Sequence, residues 1–299
     1  MFREQLRTLG FGSVAVEVGG RAVALVVGIH GIAQQGSNPG RQLKLWSDAL
    51  RIGLSASGFG KEMPTFAAPY YGFLFRDGSA YLGDDDEPIR DPDELQFVAD
   101  AIAEITESTD SSEPMASSGN LGPPAVIPPA LLRGLASVDR RWGGGRSSLL
   151  IGNLRQVYAY LFRTGAGAVI REAVAHGIAS DARVLVGHSL GSVVGFDILR
   201  RGLAGQITTF VTIGSPLPWR TIQTALATQH SGVLAPNVVW TNVFDPWDVV
   251  TAGRGLTPEA VDVEVDNGRA DPHSLTRYLS QRVTARAILD GVETGHPGR

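Results

Sequence analysis

Ser189 is flanked as a nucleophile would be. It sits in Gly187-His188-Ser189-Leu190-Gly191, after the apolar run Val184-Leu185-Val186 and before Ser192, Val193, Val194, Gly195, Phe196, Ile198 and Leu199 at helix-compatible spacing. A strand, a sharp turn carrying a serine and a helix directly behind it make a nucleophile elbow. Gly187 and Gly191 leave room for strand and helix to approach, while the serine takes a strained conformation that lifts its hydroxyl off the sheet. The helix start brings partial positive charge to the place where an oxyanion would form. The pattern G-x-S-x-G also arises by chance in a chain with 37 glycines, so its weight comes from the strand and helix around it.

A serine hydroxyl attacks poorly unless a base takes its proton, and the base needs a carboxylate to fix its tautomer. Behind an elbow of this kind the order along the chain is serine, acid, histidine. Of the 6 histidines, His30 and His176 precede Ser189, His188 belongs to the elbow, and His230 precedes the acid candidates. His296 lies in a Gly/Pro-containing tail, which leaves His273, in Asp271-Pro272-His273-Ser274, as the candidate base. The acid comes from Asp245-Pro246-Trp247-Asp248-Val249-Val250, at the tip of a β-rich run. Asp248 is preferred, because an acid followed by two valines is pinned where the chain re-enters the core. Asp245 is the alternative, with turn closure through its own backbone as its other expected role. Asp266 and Asp271 lie too near the histidine loop, and Asp197 inside the elbow helix reads as a packing residue. Upstream, an apolar run ends in His30-Gly31-Ile32. Gly31 permits a tight turn that aims the next amide inward, making the Ile32 N–H the candidate oxyanion donor, with His30 bracing the loop.

The elements that must carry these residues follow along the chain. Val14 to Val18 and Arg21 to Ile29 read as a hairpin around Gly19-Gly20. Leu43, Trp46, Leu50 and Leu54 share one face of a helix over 41–56, and a short strand is predicted over 65–70. Residues 76–146 change character: an acidic run Asp84 to Glu87, a Ser/Thr/Asp/Glu-rich stretch, Pro123 to Pro129 and Gly143-Gly144-Gly145, with one helix predicted over 92–105. This insertion is expected to be a partly disordered lid, with Leu131, Leu132 and Leu135 over a substrate cleft, whose deletion changes substrate range more than folding. The acidic run reads as a solvated loop, not a metal site. Helix is predicted over 149–178, strands over 207–213, 237–244 and 260–265, and a last helix over 274–289; Ser215 reads as pocket wall. Strands alternating with helices predict an α/β domain with a mostly parallel sheet.

Composition narrows the classes. The chain has 299 residues, 43% hydrophobic and 19% charged, as expected of one soluble globular domain spanning 1–299. A net charge of -4 without a basic run argues against a nucleic-acid partner, and the absence of cysteine removes disulfides and thiol catalysis. The charged N-terminus lacks the apolar stretch of a signal peptide, and the most apolar run, Ala22 to Ile29, is too short to cross a bilayer. A cytoplasmic protein with no transmembrane segment is expected, with peripheral membrane contact left open.

Taken together, Gly187-His188-Ser189-Leu190-Gly191, His30-Gly31, the Asn242 to Val250 turn and His273 resemble the α/β-hydrolase superfamily. The resemblance is to its lipase- and esterase-like branch, which includes bacterial proteins labelled serine peptidases, and it covers most of the chain outside 76–146. It implies a mostly parallel sheet flanked by helices, a Ser189-His273-Asp248 triad, and an oxyanion held by the amides of Ile32 and Leu190. Relatives of this kind carry a second aspartate followed by an aliphatic residue in the acid turn, which also favours Asp248. Asp-Val-Val here replaces the commoner Asp-Pro-Val. The implied reaction is ester hydrolysis through an acyl-enzyme, needing no metal or organic cofactor, on a small-molecule or lipid acyl substrate. Alternatives are a peptidase, amidase or thioesterase on the same triad, and a non-catalytic binding or signalling module whose insertion docks a partner.

Overall fold

Adjacent residues of a strand point to opposite faces, and here both faces are apolar. Val27, Ile29, Leu185, Phe210 and Trp240 face one side of the sheet, while Val26, Val184, Val186, Val211, Ile213 and Val243 face the other. Such strands are stable only between two layers of helices. The computed structural model describes residues 17–18, 21–22, 25–31, 37–58, 63–72, 89–107 and 128–294.

Strands β3 (Val26–Ile29), β4 (Phe66–Ala67), β5 (Val184–His188), β6 (Thr209–Ile213), β7 (Val239–Phe244) and β8 (Val261–Glu264) form a 6-stranded sheet in the order β4-β3-β5-β6-β7-β8. Every pair in it is parallel. The protein is therefore α/β, with a six-stranded all-parallel sheet flanked by helices. Of the predicted hairpin, the described residues hold β1 (Glu17–Val18) antiparallel to β2 (Arg21–Ala22), while β3 lies in the main sheet and residues 14–16, 19–20 and 23–24 lie outside the described residues.

One face is covered by α1 (Pro39–Ala56), α8 (Leu275–Ser280) and α9 (Arg282–Thr294), through Trp46, Leu50, Leu54, Tyr278, Leu279 and Ile288. Gly28 lies on this side, where a Cβ would come within 2.6 Å of both Trp46 and Phe66. The other face carries α2 (Pro92–Glu107), α3 (Pro129–Trp142), α4 (Arg146–Phe162), α5 (Ala166–Gly177), α6 (Leu190–Arg200) and α7 (Arg220–Gln229). The helix predicted across 149–178 is two helices, with Gly165 at φ 82 between them.

The insertion departs most from expectation. Its described part holds two helices where one was predicted, and Phe97, Val98, Ile102, Leu131, Val138 and Trp142 are buried in the main core. Leu132 points to solvent at 51% exposure. Glu94 bonds Arg155 of α4 at 2.8 Å, both side chains buried, and Glu104 accepts the Thr221 N–H of α7 at 2.7 Å. The described helices of the segment thus supply part of the core as well as the residues expected over a cleft. The acidic run Asp84 to Glu87 lies outside the described residues. Among the described residues no helix is long and apolar enough to cross a membrane.

Candidate functional site

The chain runs from β3 outward to β4 and then crosses to β5 on the other side of β3, so the direction of winding reverses between β3 and β5. In open parallel sheets the crevice beyond the strand ends at this reversal is where ligands bind. His30-Gly31 follows β3 and Ser189 follows β5 there.

Ser189 has φ 54 and ψ -129, a left-handed backbone position that costs about 1–3 kcal/mol in a residue other than glycine. It is one of two described non-glycine residues with positive φ. Close packing enforces it. A Cβ at Gly191 would lie 2.1 Å from the Ile29 carbonyl oxygen, one at Gly187 2.6 Å from Ser192 Cα, and one at Gly31 2.6 Å from Ser189 Cβ. At Gly187 and Gly191 strand and helix touch backbone to backbone, and at Gly31 the loop after β3 lies against the serine side chain, so each position favours glycine. The Ser189 N–H donates to Ile213 O at 3.2 Å, and the Leu190 N–H at the start of α6 has no acceptor among the described residues.

His273 bridges hydroxyl and carboxylate. Its Nδ1 is 2.8 Å from Asp248 Oδ2, and its Nε2 is 3.1 Å from Ser189 Oγ. Asp248 follows β7, and Oδ1 accepts the Val250 N–H at 3.0 Å, which fixes the carboxylate as the chain turns into the core. Tyr278 of α8 donates its hydroxyl to Asp248 Oδ2 at 2.9 Å and accepts the Asp245 N–H at 3.0 Å. Burial pushes the Asp248 carboxyl up, but the charge and hydrogen bond of His273, with the bonds from Tyr278 and Val250, outweigh it and hold it below the usual carboxylate range. Tyr278 moves the opposite way, raised by burial and then by the Asp248 charge, so it stays a donor. Gly214, at φ 55, floors the pair: a Cβ there would be 3.1 Å from Asp248 Oδ2 and 3.2 Å from His273 Nδ1.

Asp245 has the other role considered for it. Its carboxylate accepts the Trp247 N–H at 2.7 Å and the Asn267 N–H at 2.6 Å, closing the acid turn and tying it to the histidine loop. Burial raises its pKa against those bonds. His30 accepts the Tyr71 N–H at Nε2 (3.1 Å), so its Nδ1–H donates to Gly31 O (2.8 Å), and the ring stacks on Tyr71 at 4.0 Å. Burial lowers its pKa to about 4. His188 donates Nε2–H to the His273 carbonyl at 3.0 Å, and burial followed by the neighbouring His273 lowers its pKa to about 3. Asp197 is paired with Arg171 and Arg201 in the elbow helix, and Ser215 bonds Ser192 at 2.7 Å. Ile32 lies outside the described residues.

Two residues in this site escaped the sequence reading. One is Tyr278. The other is Asn153 of α4, whose Nδ2 lies 2.7 Å from Ser189 Oγ. The serine has one proton, and with Nδ1–H committed to Asp248 the imidazole can take that proton only at Nε2, so Asn153 must be the donor. Its Oδ1 is buried without a partner among the described residues, and neither Asn153 nor Ser189 has any exposed surface. A polar residue amid Leu150, Leu154 and Val157 on a buried helix face was the available signal. Tyr278 left none, since its role depends on how α8 packs. Helices of the insertion also brace both loops: Trp142 Nε1 donates to Pro246 O at 3.1 Å, and Arg146 donates to the carbonyls of Arg269 and Ala270 at 2.9 and 3.0 Å.

Comparison with protein-family models, with curated proteins and with solved structures found no match.

Proposed function

We propose that this chain is a serine hydrolase that cleaves a carboxylic ester of a small molecule or lipid, with the mechanism of the lipase- and esterase-like α/β hydrolases it resembles. The observation that carries the reading is the His273 ring, 2.8 Å from a buried carboxylate on one side and 3.1 Å from a strained serine hydroxyl on the other. In this reading Ser189 Oγ attacks the acyl carbonyl as its proton passes to His273 Nε2. Asp248 stabilises the resulting imidazolium, and the oxyanion is taken by the N–H groups of Leu190 and Ile32. His273 returns the proton to the departing alkoxide; water then enters by the same route in reverse and frees the acid. Asn153 keeps an N–H on the reacting oxygen throughout.

A fluorophosphonate probe is expected to label the wild type and not Ser189→Ala, and p-nitrophenyl acyl esters to turn over only with the wild type. Labelling that survives the substitution, or no turnover on any ester, thioester or amide in a broad panel, rejects the reading.

A further inference from the structure

Trp247 of the acid turn and Arg269 of the histidine loop line a cavity of about 410 Å³ with a cationic wall. Arg140 and Arg141 from the end of α3, Arg146 from the start of α4 and Arg269 from the histidine loop converge on it, with Trp142 and Trp247 between them. The indoles hold two of the guanidiniums in place: Arg141 lies 4.2 Å over the Trp142 ring and Arg269 3.6 Å over the Trp247 ring. Arg146 is fixed by its bonds to the Arg269 and Ala270 carbonyls.

Several arginines elsewhere are compensated. Arg155 and Arg163 meet Glu94, Arg171 and Arg201 meet Asp197, and Arg254 meets Glu104. Arg140, Arg141, Arg146 and Arg269 form no ion pair with a carboxylate among the described residues. Four like charges around one cavity repel each other, in a chain whose net charge is -4. An oxyanion between them reverses the sign of that interaction, and the guanidinium fork matches the oxygens of a carboxylate or phosphate. The stacked indoles keep the forks ordered without neutralising them. The location is specific as well. Trp247 adjoins Asp248, Trp142 is bonded to Pro246, and Arg269 is on the loop that delivers His273, so the cavity borders both the acid and the base turns.

We propose that this cavity binds an oxyanion, carboxylate or phosphate, carried by the substrate at a distance from its scissile ester. The substrate role rests on the serine-hydrolase reading; the anion site itself does not. Inorganic phosphate titrated calorimetrically at low ionic strength is expected to bind the wild type at least tenfold more tightly than Arg141→Gln/Arg269→Gln, with Arg141→Lys/Arg269→Lys in between. No binding, or binding indifferent to the substitutions, overturns the site. Matched p-nitrophenyl esters of a dicarboxylic acid, with the distal carboxylate free or methylated, test the substrate role. The charged member is expected to be favoured about tenfold in kcat/KM, with the ratio falling toward one in the glutamine variant and in high salt; a ratio of one in the wild type overturns the role. Sedimentation with phosphatidylglycerol or phosphatidylcholine vesicles separates the sources. Retention on phosphatidylglycerol alone, lost in the glutamine variant, assigns the anion to a lipid headgroup, and no retention on either assigns it to a soluble substrate. Fluorophosphonate labelling in parallel keeps the two readings apart: phosphate binding without labelled Ser189 sinks the hydrolase, and labelling without phosphate binding sinks the anion site.

Discussion

His30 comes directly after β3 and His273 lies between β8 and α8, both at the edge of the sheet where Ser189 sits, yet the two rings are held in opposite ways. His30 spends both nitrogens on backbone, accepting from Tyr71 N and donating to Gly31 O, and stacks on the Tyr71 ring. Among the described residues no charged group shifts it, and burial drives its pKa down to about 4. His273 has a carboxylate at one nitrogen and a hydroxyl at the other. Both rings are hydrogen-bonded at each nitrogen, and what differs is the kind of partner: backbone groups for His30, a buried carboxylate and a hydroxyl for His273.

The acid turn offers the strongest way to break that comparison, since Asp248 and Asp245 differ in the same respect. Asp248→Asn is expected to lower kcat roughly 10⁴-fold, because the imidazole loses both its tautomer and its counter-charge. Asp245→Asn keeps kcat within about tenfold but costs about 1–3 kcal/mol of stability, since its amide nitrogen would face a backbone N–H. Steady-state kinetics and denaturant unfolding on both variants test the division, and equal losses of kcat would erase it.

A proton count sharpens the contrast next. The His30 pKa is about 4 folded against 6.5 for the ordinary ring, and that of His188 is about 3. Between pH 6.5 and about 4 the unfolded chain binds protons that these folded rings refuse. Their stabilisation is complete above pH 6.5 and is lost as pH falls through that window, by about 1.4 kcal/mol per pH unit for each ring. Unfolding free energies measured across that range should lose one proton of slope in His30→Phe. An unchanged slope would mean that His30 titrates normally in the fold.

The smallest effect falls on Asn153. Leucine of similar size removes both the donor to Ser189 Oγ and the buried Oδ1 that has no partner among the described residues. Asn153→Leu is therefore expected to lower kcat about tenfold while raising stability by on the order of 1 kcal/mol. Parallel kinetics and melting curves check it; a variant that loses both stability and activity would make Asn153 a folding residue.

What could be read from sequence was what repeats locally. The β-rich runs and the glycines around Ser189 each leave a pattern within a few residues, and the structure brings Ser189, Asp248 and His273 together. The insertion misled because Pro128-Pro129 looks like loop, whereas proline is pre-organised for the first turn of a helix, and α3 starts at Pro129. Gly143 and Gly145, at φ 108 and 81, then separate two helices instead of marking an unstructured stretch. Tyr278 reaches the site only through the packing of α8, a relation with no local trace, while Asn153 showed only as a polar residue on an otherwise apolar helix face.

Gly214 has a consequence for how this fold tolerates change. A single methyl there would press on Tyr278 at 2.9 Å as well as on the carboxylate and the imidazole. With φ 55 at that position as well, any side chain there strains the backbone and displaces all three hydrogen-bonded partners at once.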